Sequence, residues 1–203
     1  MNAKRTPYAE IAVLALLAES PRYGYEIDTE IKNRGVNHWG RLDISSIYYL
    51  LNKLEKTGYV TFEYFKEGKY PTRKVYSLTP EGRAVLEEQL FSMLRSRGDR
   101  LRPMIGIAFI HVLPKEKALE AMRELQQRTV EMEEHYKEHA QELAERYPFP
   151  SSRALMKLWG ENIEYMHIWL RKLYRELEAF PWKRWGEEAT RRGIIKDHRE
   201  INK

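Results

Sequence analysis

A chain of 203 residues is long enough for one or two small domains with buried cores. It contains no cysteine, which excludes a disulfide scaffold, cysteine-ligated metal and thiol nucleophile chemistry. A formal charge of +5 permits nucleic-acid binding and is equally compatible with an ordinary, slightly basic protein.

The segment Pro7 to Ala18 predicts a helix, with Pro7 in its first turn and Ile11, Leu14, Ala15, Leu16 and Leu17 as apolar positions. Lys4 and Arg5 ahead of this run imitate a secretion signal. Glu10 and Glu19 bracket the run with charge, so it reads as the first core helix of a cytoplasmic protein. "ESPRYGYE" reads as a turn. Tyr25 to Lys32 predicts a second helix, apolar at Tyr25, Ile27 and Ile31.

A loop through Gly35 and Gly40 leads to "DISSIYYLLNKLEKTGYV", Asp43 to Val60. At about 100° per residue, Ile47, Leu50, Leu51 and Leu54 share one stripe. Ser45, Tyr49, Asn52, Lys53 and Lys56 fall opposite, and Tyr48 lies on the flank. Asp43 or Ser45 can cap the start, and Gly58 stands where a left-handed C-terminal cap belongs.

The period then changes to two. "YVTFEYF" and "RKVYSL" alternate, with turn chemistry in "KEGKYP" between them, which predicts a hairpin. "LTPEGRAVLEEQL" follows as a helix, with Thr79 as N-cap and Pro80 first. Three helices, a two-stranded hairpin and a helix make the order of a winged helix-turn-helix. In that fold the third helix enters the major groove and the hairpin wing touches the flanking backbone. The candidate DNA contacts are Ser45, Ser46, Tyr48, Tyr49, Asn52, Lys53 and Lys56 on the helix. Lys66, Lys69, Arg73 and Lys74 join them from the wing, whose bland reading is a hairpin kept soluble by lysines.

The second half is nearly all helix. Its longest apolar run, Met104 to Val112, is too short to span a bilayer. Pro114 opens a long charged helix reaching about Tyr147. "PFPSS" breaks it, and Ser152 is the expected cap of a last helix that stops at Phe180 before Pro181. Trp159, Ile163, Met166, Leu170, Leu173 and Leu177 repeat as a heptad seam, widened by Leu155, Leu158, Tyr165 and Trp169. The width predicts more than one neighbour, including a second copy of the chain against Leu155, Trp159, Ile163, Met166, Leu170 and Leu173. Trp159, Tyr165 and Trp169, with Phe109 approaching from the preceding run, could also wall a site for a flat apolar effector. The expected division is a DNA-binding domain over 1–98, a helical dimerisation and effector domain over 99–180, and a basic tail over 181–203.

His135 and His139 stand one helical turn apart, but the H-E-x-x-H order is absent and no third ligand is evident. They read as a solvated charged face, so no metal is expected. No G-x-S-x-G, phosphate-loop or dinucleotide glycine pattern occurs. Neither an enzyme nor a cofactor is therefore expected.

"YGYEI" (Tyr23 to Ile27), "SSIYYLLNKLEKTGYV" (Ser45 to Val60) and "RKVYSLTPEGR" (Arg73 to Arg83) resemble the PadR family of transcriptional regulators in order and spacing. The match covers roughly Ile11 to Leu90, and the helical remainder looks like the C-terminal extension the family shares with virulence-type activators. The resemblance implies a mostly α protein with a small hairpin wing, a winged helix-turn-helix followed by a helical dimerisation domain. It further implies a homodimer that binds an inverted repeat in double-stranded DNA and represses transcription, relieved in some members by a small aromatic or hydrophobic compound. Two other classes compete: an adaptor whose wing and third helix meet protein, and a ligand sensor with a secondary DNA role.

Overall fold

The computed structural model describes residues 8–35, 44–66, 72–96, 101–146 and 149–182. Asp43, Lys69 and nearly all of the basic tail lie outside them. The described residues divide into two compact units, one of the residues up to Pro114 together with Pro181 and Trp182, the other spanning 115–180.

The first unit is built around α1 (Tyr8–Glu19). Ile11 to Leu17 are apolar without interruption, and the helix is accordingly buried on every side. Around it lie α2 (Gly24–Asn33), α3 (Ile44–Lys56) and α4 (Pro80–Leu94). They contribute Ile27 and Ile31, then Ile47, Leu51 and Leu54, then Leu86, Leu90 and Met93 to one core. A predicted stop and a predicted start operate as the residue types require. Gly58 adopts φ 77°, and the amides of Gly58 and Tyr59 donate to the carbonyls of Glu55 (3.0 Å) and Leu54 (2.9 Å), closing α3 with a Schellman motif. Thr79 caps α4 by accepting from the Gly82 amide at 3.0 Å, with Pro80 in the first turn.

The hairpin consists of β2 (Val60–Phe65) and β3 (Arg73–Leu78), paired antiparallel from Val60 opposite Leu78 to Phe65 opposite Arg73. The segment expected as a plain turn holds a third strand, β1 (Arg22–Tyr23), which pairs with the other edge of β3. Two residues are too few to show alternation, so pairing rather than pattern makes this strand. It is pinned from both ends. The buried Arg22 donates to the Leu16 carbonyl (3.2 Å) and to Glu19 (3.0 Å), and the Tyr23 amide donates to Glu26 (3.0 Å) in the first turn of α2.

The apolar run after α4 forms α5 (Leu101–Ala108) and a short 3-10 turn (Ile110–Val112). Ile105, Phe109, Ile110 and Leu113 are buried in the first unit. That unit therefore extends past the boundary expected at residue 98.

The second unit is a hairpin of α6 (Lys115–Arg146) and α7 (Pro150–Ala179). Antiparallel packing is fixed by polar ties along its length. The Lys115 ammonium donates to the Glu178 carbonyl (2.8 Å), Arg123 to the Tyr174 hydroxyl (2.8 Å) and the Gln126 amide to the Leu170 carbonyl (3.0 Å). Nearer the connection, His167 meets Glu133 at 2.9 Å and the Tyr136 hydroxyl donates to the Met156 carbonyl. Helix α7 starts two residues before the expected cap at Ser152. Pro150 takes the first turn after an extended Phe149, because its fixed φ suits that position and its missing N–H costs nothing there.

Candidate nucleic-acid interface

Helix α3 is divided as its sequence dictates. Ile47, Leu50, Leu51 and Leu54 are buried, while Ser45, Tyr49, Asn52 and Lys56 are exposed and Ser46 is half-buried. The adjacent tyrosines have different surroundings. Tyr49 is 69% exposed and stands away from the body of the unit. Tyr48 lies across the N-terminus of α2, so close that a Cβ on Gly24 would sit 2.6 Å from its ring. A larger residue at position 24 would require the Tyr48 ring to move aside.

Gly24, Tyr48 and Asn52 border a recess of about 320 Å³, completed by Tyr23, Tyr25, Arg73, Lys74 and Tyr76. Four elements meet here: the end of β1, the start of α2, the flank of α3 and β3. Tyr23 and Tyr25 stack at 5.5 Å, and the Arg73 guanidinium stands 5.7 Å over the Tyr25 ring. Burial pushes the Tyr76 hydroxyl up from its ordinary pKa, with the Glu55 charge adding to it, so it stays protonated as a donor. The recess thus offers hydroxyls, an amide, a guanidinium and a helix N-terminus, a donor set suited to phosphate oxygens.

The cations expected at the interface behave differently from one another. Arg73 is exposed at the start of β3, and Lys66 and Lys56 are exposed. Lys53 is turned back. Its ammonium pairs with Glu10 of α1, an acid that is almost wholly buried and needs a counter-charge. Lys74 is drawn inward as well, 3.5 Å from the Phe62 ring centre and 3.5 Å from Glu55. Helical periodicity put Lys53 on the outward face and its place on the wing made Lys74 a candidate, but neither signal could show an acid within reach of each. Tyr23, Tyr25 and Tyr76, which wall the recess, were not among the expected site residues. The "YGY" pattern flanking Gly24 was the visible trace of the first two, and Tyr76 stood only as one residue of the predicted strand.

The expected dimer seam on α7 is split. Leu170 is buried on the row that also carries Met156, His167 and Tyr174, the residues tied to α6, so its own hairpin covers it. Ile163, Met166 and Leu173 are half-buried. Leu155, Leu158, Trp159, Tyr165 and Ile168 remain exposed. Of the residues proposed for an effector, Trp159 and Tyr165 are exposed and Trp169 is half-buried in the second unit, whereas Phe109 is fully buried in the first. No helix among the described residues is long and apolar enough to cross a membrane.

Residues 13–88 match the model of the transcriptional regulator PadR-like family. An uncharacterized protein of Lysinibacillus sphaericus is 36% identical over 76 residues, covering 37% of this chain and 69% of that protein. A transcriptional regulator from Clostridium thermocellum is 32% identical, covering 40% of this chain and 77% of that one, with a TM-score of 0.35. PadR of Bacillus subtilis, solved in complex with operator DNA, is similar over 85% of this chain and 98% of its own at 20% identity, with a TM-score of 0.40.

Proposed function

The chain belongs to the transcriptional regulator PadR-like family, and from that premise we propose that it is a cytoplasmic, homodimeric repressor that reads an inverted repeat in double-stranded DNA. The observation that carries this reading is the division of α3. Its apolar half is fixed in the core, while Ser45, Tyr49 and Asn52 are presented outward beside the recess. Asn52 reads a base edge in this scheme, since an exposed amide can pair with adenine through two hydrogen bonds. Arg73, Tyr48 and the N-terminus of α2 hold the backbone, with Lys56, Lys66 and Lys69 adding charge along the duplex. Lys53 is a strut in this scheme rather than a base reader.

Two copies pair through the exposed part of the α7 stripe, which sets two α3 helices to read a two-fold operator. A small aromatic or hydrophobic compound relieves repression by stacking on Trp159, Tyr165 or Trp169. It does so only if it binds the DNA-incompetent arrangement more tightly. Fluorescence anisotropy with DNA from the protein's own promoter, across a range of salt concentrations, tests the core of the proposal. Tight binding to one palindromic segment with a steep salt dependence supports it. Equal affinity for unrelated DNA, or none, sinks it.

A further inference from the structure

One turn of α6 carries a chemistry that neither the DNA-reading elements nor the α7 stripe uses. His135 and His139 lie one helical turn apart, their ring centres separated by 4.2 Å. Nδ1 of His139 lies 2.8 Å from the backbone carbonyl oxygen of His135. A carbonyl can only accept, so Nδ1 carries the proton. In the neutral ring this leaves the Nε2 lone pair bare, the state in which imidazole ligates metal. A backbone carbonyl holding the other ring nitrogen is also how ligating histidines are commonly oriented. Glu138 is beside them, and one donor atom from each of the three side chains lies within 4.8 Å of the others.

We propose that His135, Glu138 and His139 form a site for one divalent transition-metal ion of the zinc, nickel and copper class. Ligand bonds of about 2.0–2.2 Å put neighbouring donors of a tetrahedral ion about 3.3 Å apart. Rotations of solvent-facing side chains, moving donor atoms by at most about 1.5 Å, therefore complete the set. Two imidazoles and one carboxylate select this class over magnesium or calcium, which prefer all-oxygen shells. The surrounding charge favours a cation. Between Glu131 and Glu142 the chain has five glutamates and one lysine, Lys137, whose ammonium is occupied by Glu133 at 2.5 Å. This revises the sequence reading of the turn as a merely solvated face. Glu138 supplies the third ligand that was not evident in the sequence.

Calorimetric titration of the full chain with nickel, zinc and magnesium chlorides tests the site, alongside His135→Gln and His139→Gln. The expected result is saturable binding of one nickel or zinc ion per chain, weakened at least tenfold by either substitution, with no magnesium binding. Cobalt broadening of imidazole proton resonances gives a readout on the unaltered protein. The signals of His135 and His139 should broaden well before those of the other four histidines. Absence of saturable binding, affinity unchanged in both variants, or first broadening at other histidines would each overturn the proposal.

Discussion

Lys53 of α3 is paired with Glu10 of α1, a residue 43 positions earlier in the chain. The pair ties the reading helix to the central helix of the unit. Removing the lysine leaves a buried carboxylate without its counter-charge. Lys53→Ala should therefore cost about 1–3 kcal/mol of stability, towards the lower end because half of the lysine remains in water. Urea unfolding reads this directly. Base preference of the surviving folded protein should be unchanged. A variant with native stability and altered base preference would return Lys53 to the DNA.

Asn52 differs, because it is exposed at the rim of the recess. Asn52→Ala should cost about 1–3 kcal/mol of discrimination at one base pair per half-site, measured by binding to a set of single-substituted operators. Uniform weakening across the set would place Asn52 on the backbone instead.

Arg73 should act on every sequence alike. Arg73→Gln is expected to weaken binding generally and to reduce the slope of log affinity against log salt by about one unit. Lys74→Gln should change that slope less, since its ammonium is already drawn to Glu55 and Phe62. Equal slopes for Arg73→Gln and the unaltered protein would remove Arg73 from the phosphate contact.

Much of this arrangement was legible in the chain. The stripe Ile47, Leu50, Leu51 and Leu54, the Gly58 stop, the Thr79–Pro80 start and the hairpin itself each follow from local spacing, and each is formed, although β3 buries the adjacent Val75 and Tyr76 rather than alternating. What local spacing cannot carry is a partner far along the chain. Glu10 and Lys53, the short strand β1 against β3, and the recess shared by Tyr25 and Tyr76 all depend on tertiary contact. The start of α7 at Pro150 had a local signal, but Ser152 offered a second one of similar strength.

Glu19 is a further long-range junction, and it sets a pH dependence. Its side chain has no exposed surface and meets Arg22, Arg34 and His111, the last two with oxygen contacts of 2.6 and 3.0 Å. Burial alone would push its carboxyl up. Hydrogen bonds from His111 and Arg34, with their charges, outweigh burial and hold the pKa at about 2, against an ordinary 4.5. The folded-state value is depressed, so the contribution is fully present above the unfolded value and is lost as pH falls from about 4.5 towards 2. Its full size is of the order of 3 kcal/mol. Glu19→Gln should be less stable than the unaltered protein at pH 7, and the difference should shrink steadily below pH 4.5. A difference that stays constant down to pH 2.5 would show that the carboxylate charge is not what stabilises the junction.

The two kinds of apolar residue on α7 separate packing from association. Leu155 and Leu158 are each more than half exposed, whereas Leu170 is 1% exposed on the row facing α6. Exposed apolar stripes of this length usually mark a contact surface. In the proposed dimer, Leu155→Asp combined with Leu158→Asp should place two carboxylates where the second copy packs. Sedimentation should then shift from dimer to monomer, with helix content unchanged, because both positions already face water in the single chain. Leu170→Ala should behave in the opposite way. It leaves a cavity in the hairpin and should cost about 2–5 kcal/mol of stability. At temperatures where that variant remains folded, it should still sediment as a dimer. A Leu155→Asp, Leu158→Asp variant that remains dimeric at micromolar concentration would move the association surface away from this stripe. A Leu170→Ala variant that is folded but monomeric would move it onto the row assigned here to the hairpin.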